Sequence, residues 1–242
     1  MIIDNIAQES PLKGLHPVEK IIGCILTLTT LLVLKEIRSH LLAIVLLNMF
    51  LLFIAKINWK TLSLMLLAFL PFLLFGALSI ALTLSVDSGI TVNITSASLN
   101  QGIFIFFRSF SCLLCMYSLV LTTPIQQVIW GLRKLKCPTI ICEMMLIIYK
   151  YIFILAETSK KIYLSQHARL GYKGYKQSLR SFAALLSALF IKSLDYGRKL
   201  FTSLESRGYV GTLHTVATYP PVKISHLLSI LIINLIILFF GY

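Results

Sequence analysis

His167-Ala168-Arg169-Leu170-Gly171-Tyr172-Lys173-Gly174 closes one long segment of this chain, and Glu205-Ser206-Arg207-Gly208-Tyr209-Val210-Gly211 closes the next. In both phrases a small residue precedes Arg, a Gly-Tyr pair follows, and another Gly comes two residues later. Glycine reaches left-handed backbone angles without penalty and so stops helices. Each phrase therefore predicts an Arg in the last turn of a helix, beside the partly negative end of its dipole. The segments closed in this way, 138–169 and 176–205, are too basic to lie wholly in a membrane and too apolar to be free in water. At 1.5 Å per residue the first is about 48 Å long, against a hydrocarbon core of about 30 Å, so it is not a simple upright span. Its first half is apolar apart from Lys150, and its second carries Lys160, Lys161, Gln166 and His167. The next segment sets Phe182, Leu185, Leu186, Leu189, Phe190 and Leu194 at helical spacing, among Arg180, Lys192, Arg198 and Lys199, as an amphipathic helix does. Two tips with matching arginines predict one surface that docks twice.

Working outward, the composition is that of a polytopic membrane protein. Of 242 residues, 57% are hydrophobic and only 13% charged, and mean hydropathy is +0.88, which excludes an ordinary soluble domain of this size. Five apolar runs are expected to span: 18–34, 41–54, 62–84, 102–121 and 224–240. Pro71 should kink the third. Residues 1–16 read as a short polar-apolar arm with no cleavable leader, since Asp4, Glu9, Pro11 and Pro17 break any hydrophobic region. Residues 35–40 form a tight polar break, and Trp59 between Asn58 and Lys60 reads as a headgroup-level anchor. Residues 86–100 lack Lys and Arg and suit an external loop; Asn93-Ile94-Thr95 within it is a glycosylation sequon of low specificity. Residues 125–136 form an amphipathic helix of the kind that lies in the interface. A connector with Pro220-Pro221 leads to the last span. The fold expected is all-α, with membrane helices 1–4 in residues 1–124, interfacial and cytoplasmic coupling helices in 125–211, and a connector with the last membrane helix in 212–242.

The net charge is +13. Nucleic acid could answer such a charge, but the apolar bulk points instead to a cytoplasmic face against anionic lipid and an acidic partner. With the N-terminus inside, all of the 22 basic residues except Lys35, Arg38 and Arg108 fall at the cytoplasmic edge or in the basic helices. That is a strong positive-inside bias.

The pair Ala168-Arg169-Leu170 and Ser206-Arg207-Gly208 resembles the two Ala-Arg-X motifs of the T component of energy-coupling-factor (ECF) transporters. The longer phrase from Ser193 to Tyr209 is similar to the cobalt/nickel branch, the CbiQ-like proteins. The resemblance covers most of the chain, is strongest from Arg108 to Gly211 and thin before Leu15. Ser206 stands where the second motif usually has Ala; Ser is also small, so the tip geometry should survive. The resemblance implies a multi-pass cell-membrane subunit that links two ABC-type ATPase subunits to a separate membrane S component holding the substrate, a cobalt or nickel ion. It implies that Ala168, Arg169, Leu170, Ser206, Arg207 and Gly208 dock on the ATPases, one tip per subunit. A T component shared among vitamin transporters is the nearest alternative. A lipid-binding membrane protein or membrane enzyme with a basic surface is the alternative of another class.

The residues themselves bear on this. A basic residue at a helix C-terminus can simply cap carbonyls, and either arginine alone reads that way. Two matching phrases, each with a rigid guanidinium fork and a neighbouring glycine, favour docking. Arg108 lies within an apolar run, where a charge costs at least a few kcal/mol, at about +2.5 on insertion scales. It either snorkels to the outer interface or pairs with a helix carbonyl or a substrate-binding subunit. The chain has no G-x-x-x-x-G-K-[ST], so ATP must be handled by a partner and no enzyme activity or cofactor is expected. The five histidines lack metal-ligand spacing, and Cys112-x-x-Cys115 has no second pair, so no metal site is expected. All five cysteines sit in or beside apolar runs and read as packing residues.

Overall fold

The computed structural model describes residues 2–81, 83–85, 91–93, 96–209, 211 and 224–239. It is built from helices: α1 (Ile2–Glu9), α2 (Pro17–Val33), α3 (Ile37–Met49, continued by a π turn Phe50–Ile54), α4 (Trp59–Ala81), α5 (Ser96–Thr122), α6 (Ile125–Lys134), α7 (Thr139–Ala168), α8 (Tyr175–Ser206) and α9 (Ile224–Phe239). Strands β1 (Thr83–Ser85) and β2 (Thr91–Asn93) pair antiparallel, Leu84 opposite Val92, in the segment between α4 and α5. The chain divides into two compact units, one holding α1–α6 and α9, the other α7 and α8.

In the first unit α5 is the hub, with α1, α2, α3 and α4 against it; α2 also carries α6 and α9. One cluster, Cys24, Leu31, Leu34, Ala43, Cys115 and Ile237, ties α2, α3, α5 and α9 together. A second, with Leu51, Leu62, Leu114 and Leu121 at its centre, ties α3 and α4 to α5 and takes in Ile6 of α1. Polar side chains stitch the same helices. Thr30 Oγ1 donates to Asn234 Oδ1 at 2.9 Å, and Asn234 Nδ2 donates to Thr27 Oγ1 at 3.3 Å, locking α9 to α2. Cys24 and Cys115 face each other with their sulfurs 3.8 Å apart, as free, buried thiols. Cys115 thus looks across to α2 rather than back to Cys112.

Among the described residues, four helices are long and apolar enough to cross a bilayer: Ile37–Ile54, Trp59–Ala81, Ser98–Thr122 and Thr139–Ala168. The molecule is an all-α polytopic membrane protein. Three expectations shift. Helix α7 meets the length and apolarity of a span through its apolar first part, although its last third is charged. Helices α2 and α9, read as spans, have 17 and 16 residues, about 24–26 Å of axis, slightly short of the core thickness. Flanking residues and modest bilayer thinning accommodate a mismatch of that size.

Elsewhere the boundaries move for physical reasons. Within the expected short arm, residues 2–9 form a helix with Ala7 buried. The polar break at 35–40 is shorter than its composition implied: α3 begins at Ile37, and Ser39 and His40 are fully buried, His40 Nδ1 lying 3.1 Å from Ser111 Oγ. Helix α4 runs through Pro71 without interruption. Helix α5 starts at Ser96, so the last part of the expected external loop is helical. The amphipathic helix α6 packs on α2, where a Cβ on Gly131 would meet Ile21 Cδ1 at 2.7 Å. Lys20 Nζ donates to the Thr122 carbonyl at 3.1 Å, fastening the start of α2 to the α5–α6 junction. The connector 212–223 lies outside the described residues.

Candidate functional site

The second unit is an antiparallel hairpin. Tyr151 OH donates to the Tyr196 carbonyl at 3.5 Å, Gln166 Nε2 to the Ser181 carbonyl at 3.1 Å, and Tyr209 OH to Glu143 Oε2 at 3.0 Å. As residue numbers rise along α7 they fall along α8. Arg169 therefore sits at the turn between the helices and Arg207 at the opposite end. The 32 residues of α8 put about 48 Å of helix axis between the two ends. The single doubly docking surface expected from the repeated phrase is instead two separate tips.

Both tips close in the same way. Leu170 N–H donates to the His167 carbonyl at 3.0 Å and Gly171 N–H to the Gln166 carbonyl at 2.9 Å. Gly208 N–H donates to the Glu205 carbonyl at 2.9 Å and Tyr209 N–H to the Leu204 carbonyl at 3.0 Å. These are paired 5→2 and 6→1 bonds, the Schellman closure, with Arg169 and Arg207 as the C-cap residues. Ala168, Arg169 and Leu170 thus superpose in role on Ser206, Arg207 and Gly208, and all six are exposed.

The glycines do not match as the sequence phrase implied. Gly208 takes the left-handed angle of its tip, with φ +72°, but at the first tip that angle falls to Leu170, with φ +58°. Gly171 lies one residue further on, and closeness of approach is what requires a glycine there: a Cβ would meet the Gln166 carbonyl and Ser181 Oγ, each at 2.8 Å. Around it the turn is tied down. Ser181 Oγ donates to the Gly171 carbonyl at 2.7 Å and Tyr172 OH to Gln166 Oε1 at 2.8 Å. The Tyr163, His167 and Tyr172 rings cluster beside them, with the two tyrosine centroids 4.8 Å apart. At the other tip the Glu143 carboxylate, buried near the start of α7, accepts from Tyr209 and pushes that phenol's pKa up, keeping it a donor. None of these cross-helix partners was visible in the sequence.

Because backbone N–H groups close both helices, the arginines are not needed as caps. Among the described residues neither guanidinium makes a hydrogen bond or an ion pair. Leu170 is 63% exposed in a backbone region that costs a non-glycine residue about 1 kcal/mol or more. An exposed apolar residue held there is a candidate contact residue.

The Arg108 guanidinium donates to the Leu32 carbonyl at 2.8 Å, an exposed contact. Leu32 is in the last turn of α2, where carbonyls lack intrahelical donors and the dipole is negative. Arg108 therefore joins α5 to the end of α2. Among the described residues no three His, Cys, Asp or Glu side chains gather as a metal site would need.

The fold is that of a multi-pass helical membrane protein, and its α7–α8 hairpin presents two capped arginine tips. The chain belongs to the CbiQ cobalt transport protein family, whose model matches residues 8–219. It is 36% identical over 102 residues to the cobalt transport protein CbiQ of Rhodobacter capsulatus, covering 42% of each chain. To the CbiQ of Salmonella typhimurium it is 29% identical over 153 residues, 59% of this chain and 68% of that one. To the energy-coupling factor transporter transmembrane protein EcfT of Lactococcus lactis it is 30% identical over 131 residues, about half of each. An uncharacterized protein of Methanocaldococcus jannaschii, MJ1089, is 30% identical over 154 residues, of which this chain spans 58%. The matches thus cover from two fifths to two thirds of these relatives' lengths.

Proposed function

We propose that this chain is the transmembrane coupling subunit of an ECF-type importer, without catalytic activity of its own, and that it serves uptake of cobalt or nickel ions. Arg169 and Arg207, with Ala168, Leu170, Ser206 and Gly208 beside them, dock on two ABC-type ATPase subunits, one tip each. A separate membrane S component holds the ion. The observation that carries this reading is the pair of identically closed tips at opposite ends of one hairpin, each with an exposed arginine that its own helix does not use. Two ATPases that close on ATP change the separation of their docking grooves. A stiff pair of helices about 48 Å long transmits that change, since each ATPase state favours one placement of the two tips. Residues 1–124, 125–211 and 212–242 serve as membrane bundle, coupling region and closing helix, and the N-terminus is cytoplasmic.

The test is co-purification and uptake. The tagged chain should bring down two ATPase subunits per copy, and cells carrying the complex should take up labelled cobalt or nickel in an ATP-dependent way. Isolation of the chain with no ATPase, under conditions that keep it folded, refutes the assignment. The likeness to the energy-coupling factor transporter proteins EcfT of Lactococcus lactis and Bacillus subtilis leaves room for a second reading, the vitamin-transporter alternative that the motif resemblance implies. Uptake of a labelled vitamin without metal uptake selects it. Orientation is tested with single cysteines at Ser96 and Ser165 in a cysteine-free background: an impermeant thiol reagent on whole cells should label position 96 and spare 165, and the reverse overturns it.

A further inference from the structure

The two tips share a backbone but not an electrostatic character. Arg169 is followed by Lys173, Lys176 and Arg180, all exposed, and no Asp or Glu occurs between Thr158 and Leu194. These cations ride on the tied turn, where Gln166, Gly171, Tyr172 and Ser181 hold one another by hydrogen bonds of 2.7–3.1 Å. Beside them opens a cleft of about 550 Å³, lined by Gln166, Lys176, Gln177, Arg180, Ser181 and Ala184. The opposite end is of mixed sign. There Glu205 stands two residues before Arg207, and Glu143 lies against Tyr209.

We propose that the α7–α8 turn is a basic dock, and that the cleft between Lys176 and Arg180 receives acidic side chains of one ATPase subunit while the Arg207 tip makes no comparable charged contact. This rests on the docking reading above and makes the two contacts unequal. One-signed charge on a preorganised surface speeds encounter with an opposite surface and is screened by salt within a Debye length of about 10 Å at 0.1 M. The occupant is a protein rather than the bilayer, because Lys176 and Arg180 line one cleft together with Gln177, a grouping of cations and an amide donor that suits discrete carboxylates. The Arg169 tip therefore supplies salt-sensitive recruitment, and the Arg207 tip a contact set mainly by its arginine and shape.

The experiment titrates the purified full-length chain, in a neutral detergent without anionic lipid, with its purified ATPase subunits between 50 and 500 mM salt. Wild-type affinity should fall about tenfold or more across that range. The variant Lys173→Glu/Lys176→Glu/Arg180→Glu should bind about tenfold more weakly at low salt and show a nearly flat salt response. A Gln version of the same triple change, gentler to the fold, should lie between the two, with thermal unfolding used to match the proteins. If both triple variants keep wild-type affinity and salt response while Arg169→Ala weakens binding, the docking reading stands and the basic dock is wrong. Loss of binding by the triple variants only when anionic vesicles are present, and not in detergent, assigns the patch to the bilayer and overturns the proposal. If neither the arginine changes nor the triple change alters recruitment, the docking reading itself fails.

Discussion

Two ends of one hairpin reach the same closure by different residues. At the Arg207 end the left-handed position is a glycine, so the tip forms without strain. At the Arg169 end it is Leu170, and the turn is held by Gln166, Ser181 and Tyr172 across the helices. The Arg207 tip is thus made by local backbone freedom, the Arg169 tip by tertiary support. What the two have in common, an exposed arginine at the C-cap, is what neither closure needs. A feature shared where the means of building it differ is better explained by what it touches than by how it folds.

The comparison can be broken in order of effect. Either arginine changed to Ala should cost about 1.5–3 kcal/mol of ATPase binding, one to two powers of ten in affinity, with little change in unfolding temperature. Lys in either place should restore only part, because it lacks the planar fork. If the two arginines differ by more than the basic turn accounts for, the tips are not variants of one device. Binding isotherms with matched protein levels decide this.

Next come the glycines. Gly208→Ala places a side chain at φ +72° and should cost about 1 kcal/mol of hairpin stability. Gly171→Ala meets a backbone carbonyl and a hydroxyl at 2.8 Å and should loosen the turn by more, about 1–3 kcal/mol for an overpacked site. Thermal unfolding followed by circular dichroism reads both. An unaltered Gly171→Ala protein means the turn is not held as described.

The smallest effect is the most discriminating. Leu170→Gly relieves the left-handed strain but frees the unfolded chain, so stability should change by about 0.5 kcal/mol or less. ATPase binding should nevertheless weaken, since an exposed apolar contact is gone. Equal loss of stability and binding would make Leu170 structural. Tyr209→Phe removes the donor to Glu143 and should lower the unfolding temperature without changing recruitment through the first tip.

The helices were legible because bilayers demand long apolar runs. Two helix ends were legible from the arginine phrases for the same reason: glycine punctuates. What escaped depended on a third dimension. Residues 2–9 are of mixed polarity, yet Ala7 is buried and Ile6 packs against the second core cluster. Residues 96–100 read as loop from their Ser and Asn, but the helix beyond extends back through them. That Leu170 and not Gly171 carries the positive φ could not be read from spacing, because Gly171 is fixed by Ser181, ten residues away. The charge of Arg108 within an apolar run left snorkelling or a partner open, and the fold brings it to the carbonyl of Leu32.

The central claim is that the two tips act together on ATPases. A bivalent contact loses more when both halves go than either loss predicts, because each tethered site raises the effective concentration at the other. The measurement is quantitative pull-down of the ATPase subunits by wild type, Arg169→Ala, Arg207→Ala and the double variant, at equal membrane levels, with metal uptake followed in the same cells. The account predicts weakened recruitment for each single variant and near-complete loss of recruitment and uptake for the double one. A double variant that recruits ATPases and transports like wild type contradicts it.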